Sequence, residues 1–145
     1  MRWVLQQAGS AVIIPSAAVV MWFRVRHWRP PVGLVLGGFF LGWLAAKGVK
    51  TIVGRGRPVA LLDNVALLFD VPVEWIGFPS GHAVFAFTLA TFFAPYLSRR
   101  MTWAFYSLAV VVALTRIYIG AHMPLDVIGG AGNGVAVGRQ LGCWN

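Results

Sequence analysis

The sequence predicts an all-α, polytopic transmembrane helical bundle with about five spanning helices and one short helix lying along the interface. Three observations predict it. Of the 145 residues, 59% are hydrophobic and 11% charged, with a mean hydropathy of +0.75, more apolar than a soluble core of this size requires. Apolar segments approaching the ~20 residues that a bilayer demands recur along the chain. The basic residues sit at the ends of those segments rather than along one face, which is a topology pattern. It argues against nucleic acid as a partner despite the net charge of +8. The length allows a single domain, residues 1–145.

The first apolar segment, residues 3–23, carries Gln6, Gln7 and Pro15. Its basic cluster, Arg24, Arg26 and Arg29, follows the apolar run instead of preceding it, the reverse of a secretory leader, so the segment reads as a retained helix. Residues 31–53 form the second. Residues 59–78 are too short and too interrupted by Asp63, Asp70, Pro72 and Glu74 to span. Their apolar residues Leu61, Leu62, Val65, Leu68 and Phe69 suit a helix along the interface, either a plain connection or a lid. Residues 82–97, 102–119 and 124–144 complete the set.

Positive charge orients the bundle: Arg24, Arg26 and Arg29 mark one cytoplasmic loop, Arg99 and Arg100 the other, and Arg139 lies near the C-terminus. Lys50, Arg57 and Arg116 then fall together on the opposite face, against the positive-inside rule. A shared site is the simplest reason. Trp3, Trp22, Trp28, Trp75, Trp103 and Trp144 lie near segment ends, as an interfacial aromatic belt does. Gly130, Gly134 and Gly138, and Gly33 with Gly37, form small-residue stripes whose role is close helix packing. The single cysteine, Cys143, excludes an internal disulfide and any CxxC motif, and reads as apolar filler.

Three charged clusters interrupt this apolar background. The first runs from Lys50 to Arg57-Pro58, the second is Pro79-Ser80-Gly81-His82, and the third is Thr115-Arg116 followed by His122 and Asp126. Ionisable groups at membrane depth are costly and usually functional. Arg57 and Arg116 offer planar forks suited to phosphate oxygens, and Lys50 adds a point charge. Ser80 is placed to cap the helix that follows, leaving the amides of Gly81 and His82 as anion donors. Met123-Pro124-Leu125-Asp126 reads as a helix start. From there Asp126 can reach back to accept the His122 imidazole N–H and raise the nucleophilicity of the other nitrogen. His82 is the natural general acid for a leaving alkoxide. The four acidic residues, Asp63, Asp70, Glu74 and Asp126, show no paired spacing of the kind that holds magnesium, which argues against a metal-dependent mechanism; no cofactor is expected.

In this order the clusters resemble the signature of the type 2 phosphatidic acid phosphatase (PAP2) superfamily of membrane lipid phosphatases: Lys, six residues, Arg-Pro; Pro-Ser-Gly-His; and Ser-Arg, five residues, His, three residues, Asp. The matches are Lys50, Arg57 and Pro58; Pro79 through His82; and Arg116, His122 and Asp126. The resemblance covers about residues 47–135. It implies that His122 forms a phosphohistidine, that His82 protonates the leaving group and later activates water, and that Lys50, Arg57, Ser80, Gly81 and Arg116 hold the phosphate without a metal. Thr115 stands where the family usually has Ser, keeping the hydroxyl. The family core usually has six helices with both termini cytoplasmic; five are visible here, which places the N-terminus outside and leaves a natural short form or a fragment as alternatives.

The expected protein is an integral membrane lipid phosphatase of a bacterial cytoplasmic membrane, with its site on the extracytoplasmic face. Its partners are the bilayer and a lipid phosphate: an isoprenoid diphosphate, phosphatidylglycerol phosphate or phosphatidate. A lipid phosphotransferase would use the same residues with an alcohol in place of water. A non-catalytic transporter or scaffold binding anionic headgroups would need the cations but not the His122–Asp126 pair, and that pair discriminates.

Overall fold

The computed structural model describes residues 32–56 and 76–142. These form four α-helices, with no strand among the described residues: α1 (Val32–Val53), α2 (Gly81–Phe93), α3 (Arg99–Tyr118) and α4 (Pro124–Gly142). A 3-10 turn, Ala94–Tyr96, links α2 to α3. The expected first spanning segment and the interfacial helix at 59–78 lie outside the described residues, apart from the last three positions, 76–78, which are not helical.

The helix ends follow local chemistry. The α2 helix stops at Phe93, earlier than the apolar run suggests, because Pro95 sits in the second position of the tighter turn that follows. The α3 helix begins three residues before its apolar segment, because Ser98 caps it: the Ser98 hydroxyl accepts the Met101 N–H at 3.4 Å. Arg99 and Arg100 thereby join the first turn and stay exposed.

The core is built from small residues. Ala83, Ala113 and Val127 pack together beneath Phe87 and Ile117, and Ala86, Ala90 and Ala109 pack beneath Phe87, Phe105, Tyr106 and Val112. A hydroxyl pair, Thr91 with Tyr106 at 3.0 Å, joins α2 to α3. The glycine stripe on α4 sets the closest approach. A Cβ added at Gly130, Gly134 or Gly138 would lie 2.6, 2.5 or 2.8 Å from the carbonyl oxygens of Ser80, Val84 and Thr88. Each glycine therefore meets the next turn of α2, and the packing role read from their spacing holds. On the other side, Gly42 of α1 faces Val137 of α4. The Gly33–Gly37 pair lies where no packing is described.

Among the described residues, α3 is the one helix long and apolar enough to cross a membrane. Its outer face exposes Trp103, Leu108, Val111 and Leu114, the surface that lipid would cover at no cost. Twenty residues of helix rise about 30 Å, close to the hydrocarbon thickness.

Candidate active site

Each candidate residue among those described sits at a helix end, and each end is shaped by a turn that the sequence specifies. The α1 helix ends at Gly54, whose φ of 57° is left-handed and whose N–H donates to the Lys50 carbonyl at 2.9 Å. Lys50 lies in the last turn of α1, half-buried. The chain then bends back, and the Arg55 carbonyl accepts the Gly77 N–H at 2.7 Å, tying the first cluster to the approach of the second. Arg57 falls outside the described residues.

Ser80 occupies the N-cap of α2 in an extended conformation, and its carbonyl accepts the Val84 N–H at 3.0 Å. Its hydroxyl does not complete the expected cap: Ser80 is fully buried, and its Oγ has no hydrogen-bond partner among the described residues. Gly81 and His82 open the helix, both part-exposed. Amides of a first helical turn have no intrahelical partner and carry the positive end of the helix dipole. The Ser80 N–H donates instead to the Asp126 carbonyl at 2.9 Å, joining the second cluster to the third.

The third cluster is folded by a Schellman turn. Gly120, at φ 75°, donates to the Ile117 carbonyl at 3.0 Å, and Ala121 donates to the Arg116 carbonyl at 3.1 Å. The His122 N–H reaches the same Arg116 carbonyl at 3.2 Å. This turn stops α3 one turn after Arg116, and it delivers His122 to the start of α4. Pro124 begins that helix, and Asp126 reaches back so that its Oδ2 accepts the Met123 N–H at 2.8 Å, one half of a capping box.

His122 and Asp126 are both buried, at 5% and 0% exposure, with Nδ1 and Oδ2 3.7 Å apart. That spacing is electrostatic contact rather than a hydrogen bond. The expected direct acceptance of the imidazole N–H is thus not formed: Asp126 turns its Oδ2 to the Met123 amide, and in that orientation His122 Nδ1 stands beyond hydrogen-bond reach. A fully buried carboxylate is costly unless charge and donors surround it; here the Met123 amide and the positive end of α4 supply part of that stabilisation.

The helix termini accordingly bring Lys50, Ser80, Gly81, His82, Arg116, His122 and Asp126 to one end of the bundle, with Arg99 and Arg100 at the other. A site of this kind presents cations and helix-end amides to an anion, beside a buried imidazole backed by a carboxylate. Among the described residues, no three His, Cys, Asp or Glu side chains are grouped to hold a metal ion. Arg55 is a member of the site that motif reading passes over: its Nη2 donates to Met123 Sδ at 3.0 Å, next in the chain to His122. Its position directly after the Gly54 turn is the signal that could have found it.

Comparison with known proteins follows the same lines. Residues 27–144 match the PAP2 superfamily. The chain is 31% identical over 120 residues to an undecaprenyl-diphosphatase of Sulfolobus acidocaldarius, covering 82% of this chain and 56% of that protein. It is 28% identical over 134 residues to a lipid A 4'-phosphatase of Bacteroides thetaiotaomicron, covering 85% of this chain and 60% of that one. The chain thus spans less than two thirds of the length of these relatives. The crystal structure of Aquifex aeolicus LpxE superposes with a TM-score of 0.78 at 31% identity, covering 94% of this chain and 80% of that structure.

Proposed function

The chain belongs to the PAP2 superfamily, and from that premise we propose that it is an integral membrane lipid phosphatase that works through a phosphohistidine, without a metal. The observation that carries the reading is the Ser80–Asp126 backbone hydrogen bond, which sets the N-terminus of α2 beside the buried His122–Asp126 pair. Lys50, Arg57, Arg116, Ser80 and the amide of Gly81 bind the phosphoryl oxygens. His122 attacks phosphorus, forming a P–N bond as the P–O bond to the leaving group breaks. His82 donates its proton to the departing oxygen. Water then attacks phosphorus and loses its proton to His82, and the P–N bond breaks to free inorganic phosphate. Asp126 steadies the positive charge that His122 gains when it attacks phosphorus and gives up when water displaces it.

The substrate is a lipid phosphate monoester or diphosphate. The site lies on the extracytoplasmic face, since Arg99 and Arg100 at the opposite end of α3 follow the positive-inside pattern. The test is phosphate release by the purified protein in detergent from an isoprenyl diphosphate, phosphatidylglycerol phosphate and phosphatidate, with His122→Ala as control. We expect release from at least one lipid by the wild type and none by the variant. No release from any of them, or equal release by both, overturns the reading. Phosphate recovered on an added alcohol instead of in solution identifies a phosphotransferase.

A further inference from the structure

Arg55 is held from two sides. Its carbonyl accepts the Gly77 N–H at 2.7 Å, and its Nη2 donates to Met123 Sδ at 3.0 Å. The first bond fixes its backbone to the strand of chain entering the Ser80 cap; the second lays its guanidinium against the residue that follows His122. The Gly54 turn, at φ 57°, is what swings it there from the end of α1. A guanidinium has five N–H donors in a rigid fork, and a thioether is among the weakest acceptors a protein offers. The contact therefore orients the fork without using much of its capacity. Arg55 is also half-buried rather than enclosed, so an anion entering from solvent can reach it.

The three motifs assign Lys50, Arg57 and Arg116 to the phosphoryl group that is transferred. Arg55 belongs to none of those assignments. Resting on the proposed phosphatase reading, we infer that Arg55 is a specificity-determining residue: it holds the second anionic group of a lipid diphosphate headgroup, beside the phosphoryl group undergoing transfer. A fork preoriented on Met123, the residue next to His122, suits a group directly bonded to the reacting phosphate, and a monophosphate leaves nothing there to bind but the apolar lipid stem. Bidentate arginine–phosphate contacts carry geometric selectivity that a lysine lacks.

The experiment measures kcat/KM of the purified full chain in detergent on farnesyl diphosphate and farnesyl monophosphate, which share one chain and differ by one phosphate. The ratio of the two values is independent of the fraction of folded enzyme, so a partly misfolded variant is still informative. In Arg55→Gln the diphosphate-to-monophosphate ratio falls about 10- to 100-fold, the range for a lost charge-assisted hydrogen bond. Arg55→Lys restores part of it. A ratio unchanged within threefold in Arg55→Gln overturns the inference and leaves the phosphatase reading standing. A wild type that releases phosphate from neither lipid, nor from the broader lipid panel, overturns both.

Discussion

The Ser80 N–H donates to the Asp126 carbonyl at 2.9 Å, and Gly130, one turn beyond Asp126, lies so close to the Ser80 carbonyl that a Cβ there would stand 2.6 Å from it. Two helix starts distant in sequence are thereby fastened backbone to backbone. The residues proposed to bind phosphate and those proposed to attack it sit on the two sides of that fastening. Geometry at the site depends on how closely α4 lies on α2.

The glycine stripe is accordingly the sensitive point. Gly134→Ala places a methyl group 2.5 Å from the Val84 carbonyl and within 3.0 Å of the Thr88 backbone nitrogen, where only a movement of one helix can relieve it. Overpacking of this kind costs about 1–3 kcal/mol. Thermal unfolding in detergent should show a lower Tm for Gly134→Ala, whereas Gly132→Ala, whose Cβ meets nothing within 4 Å, should match or exceed the wild type. Equal Tm values for the two variants would show that α2 and α4 do not pack through this stripe.

Gly120 tests the link between turn and site. Its φ of 75° costs an L-residue about 1–2 kcal/mol, and the same turn sets both the Arg116 carbonyl bonds and the position of His122. Gly120→Ala should lower kcat more than it raises KM, because the proposed phosphate-binding groups on α1 and α2 are left in place while the proposed nucleophile is displaced. A change confined to KM would count against that division of labour.

Asp126 has one observed task, the cap, and one proposed task, support of His122, and substitution separates them. Its Oδ2 caps α4 through the Met123 amide at 2.8 Å and lies 3.7 Å from His122 Nδ1. Asp126→Asn keeps a carbonyl oxygen for the cap but removes the charge that supports an imidazolium. We expect kcat to drop ~10²–10⁴-fold, the size of a lost acid–base partner, with little change in Tm. Asp126→Ala should lose the same activity and about 1 kcal/mol of stability besides, from the missing cap. Full activity in Asp126→Asn would reduce this residue to a helix cap.

These details mark how far the sequence is legible. Gly54, Pro79-Ser80-Gly81, Gly120 and Pro124 are local signals, each acting within a few residues, and helix ends fall where such signals stand. The stripe of Gly130, Gly134 and Gly138 is equally local in its spacing, and its packing role is readable without knowing the partner. What spacing cannot show is the orientation of one carboxylate. That Asp126 turns its Oδ2 to the Met123 N–H and leaves His122 Nδ1 at 3.7 Å depends on the closed geometry of one helical turn. Likewise Arg55 looks interchangeable with its neighbours in a run of basic residues until the Gly54 turn and the Gly77 bond aim it at Met123. The α2 helix is shorter than its apolar run for a simpler reason: apolar residues continue past Phe93, but Pro95 does not let the α-helix follow them.

Metal independence can be tested directly. The acids of the whole sequence are only Asp63, Asp70, Glu74 and Asp126, and none are paired at magnesium-binding spacing. Activity should survive exhaustive EDTA treatment, and vanadate should inhibit as a mimic of the five-coordinate transition state on His122. Activity lost on chelation and restored by magnesium would exclude the mechanism proposed above.

The two histidines offer the most discriminating test. If His122 is the nucleophile, His122→Ala removes the route to a covalent intermediate, and turnover should vanish on every substrate. If His82 is the general acid, its loss should matter most where the leaving oxygen is a strongly basic lipid alkoxide. A substrate with an acidic leaving group, such as p-nitrophenyl phosphate, departs without protonation. On that substrate His82→Ala should still phosphorylate His122, and the adduct should accumulate, since the group that activates water is gone. General acid–base contributions of ~10²–10⁴-fold set the contrast expected between the two leaving groups. Rapid quench followed by assay of acid-labile, protein-bound phosphate reads the adduct. Phosphate trapped on His122→Ala, or equal losses for His82→Ala on both substrates, would mean that the nucleophile and the acid have been assigned to the wrong residues.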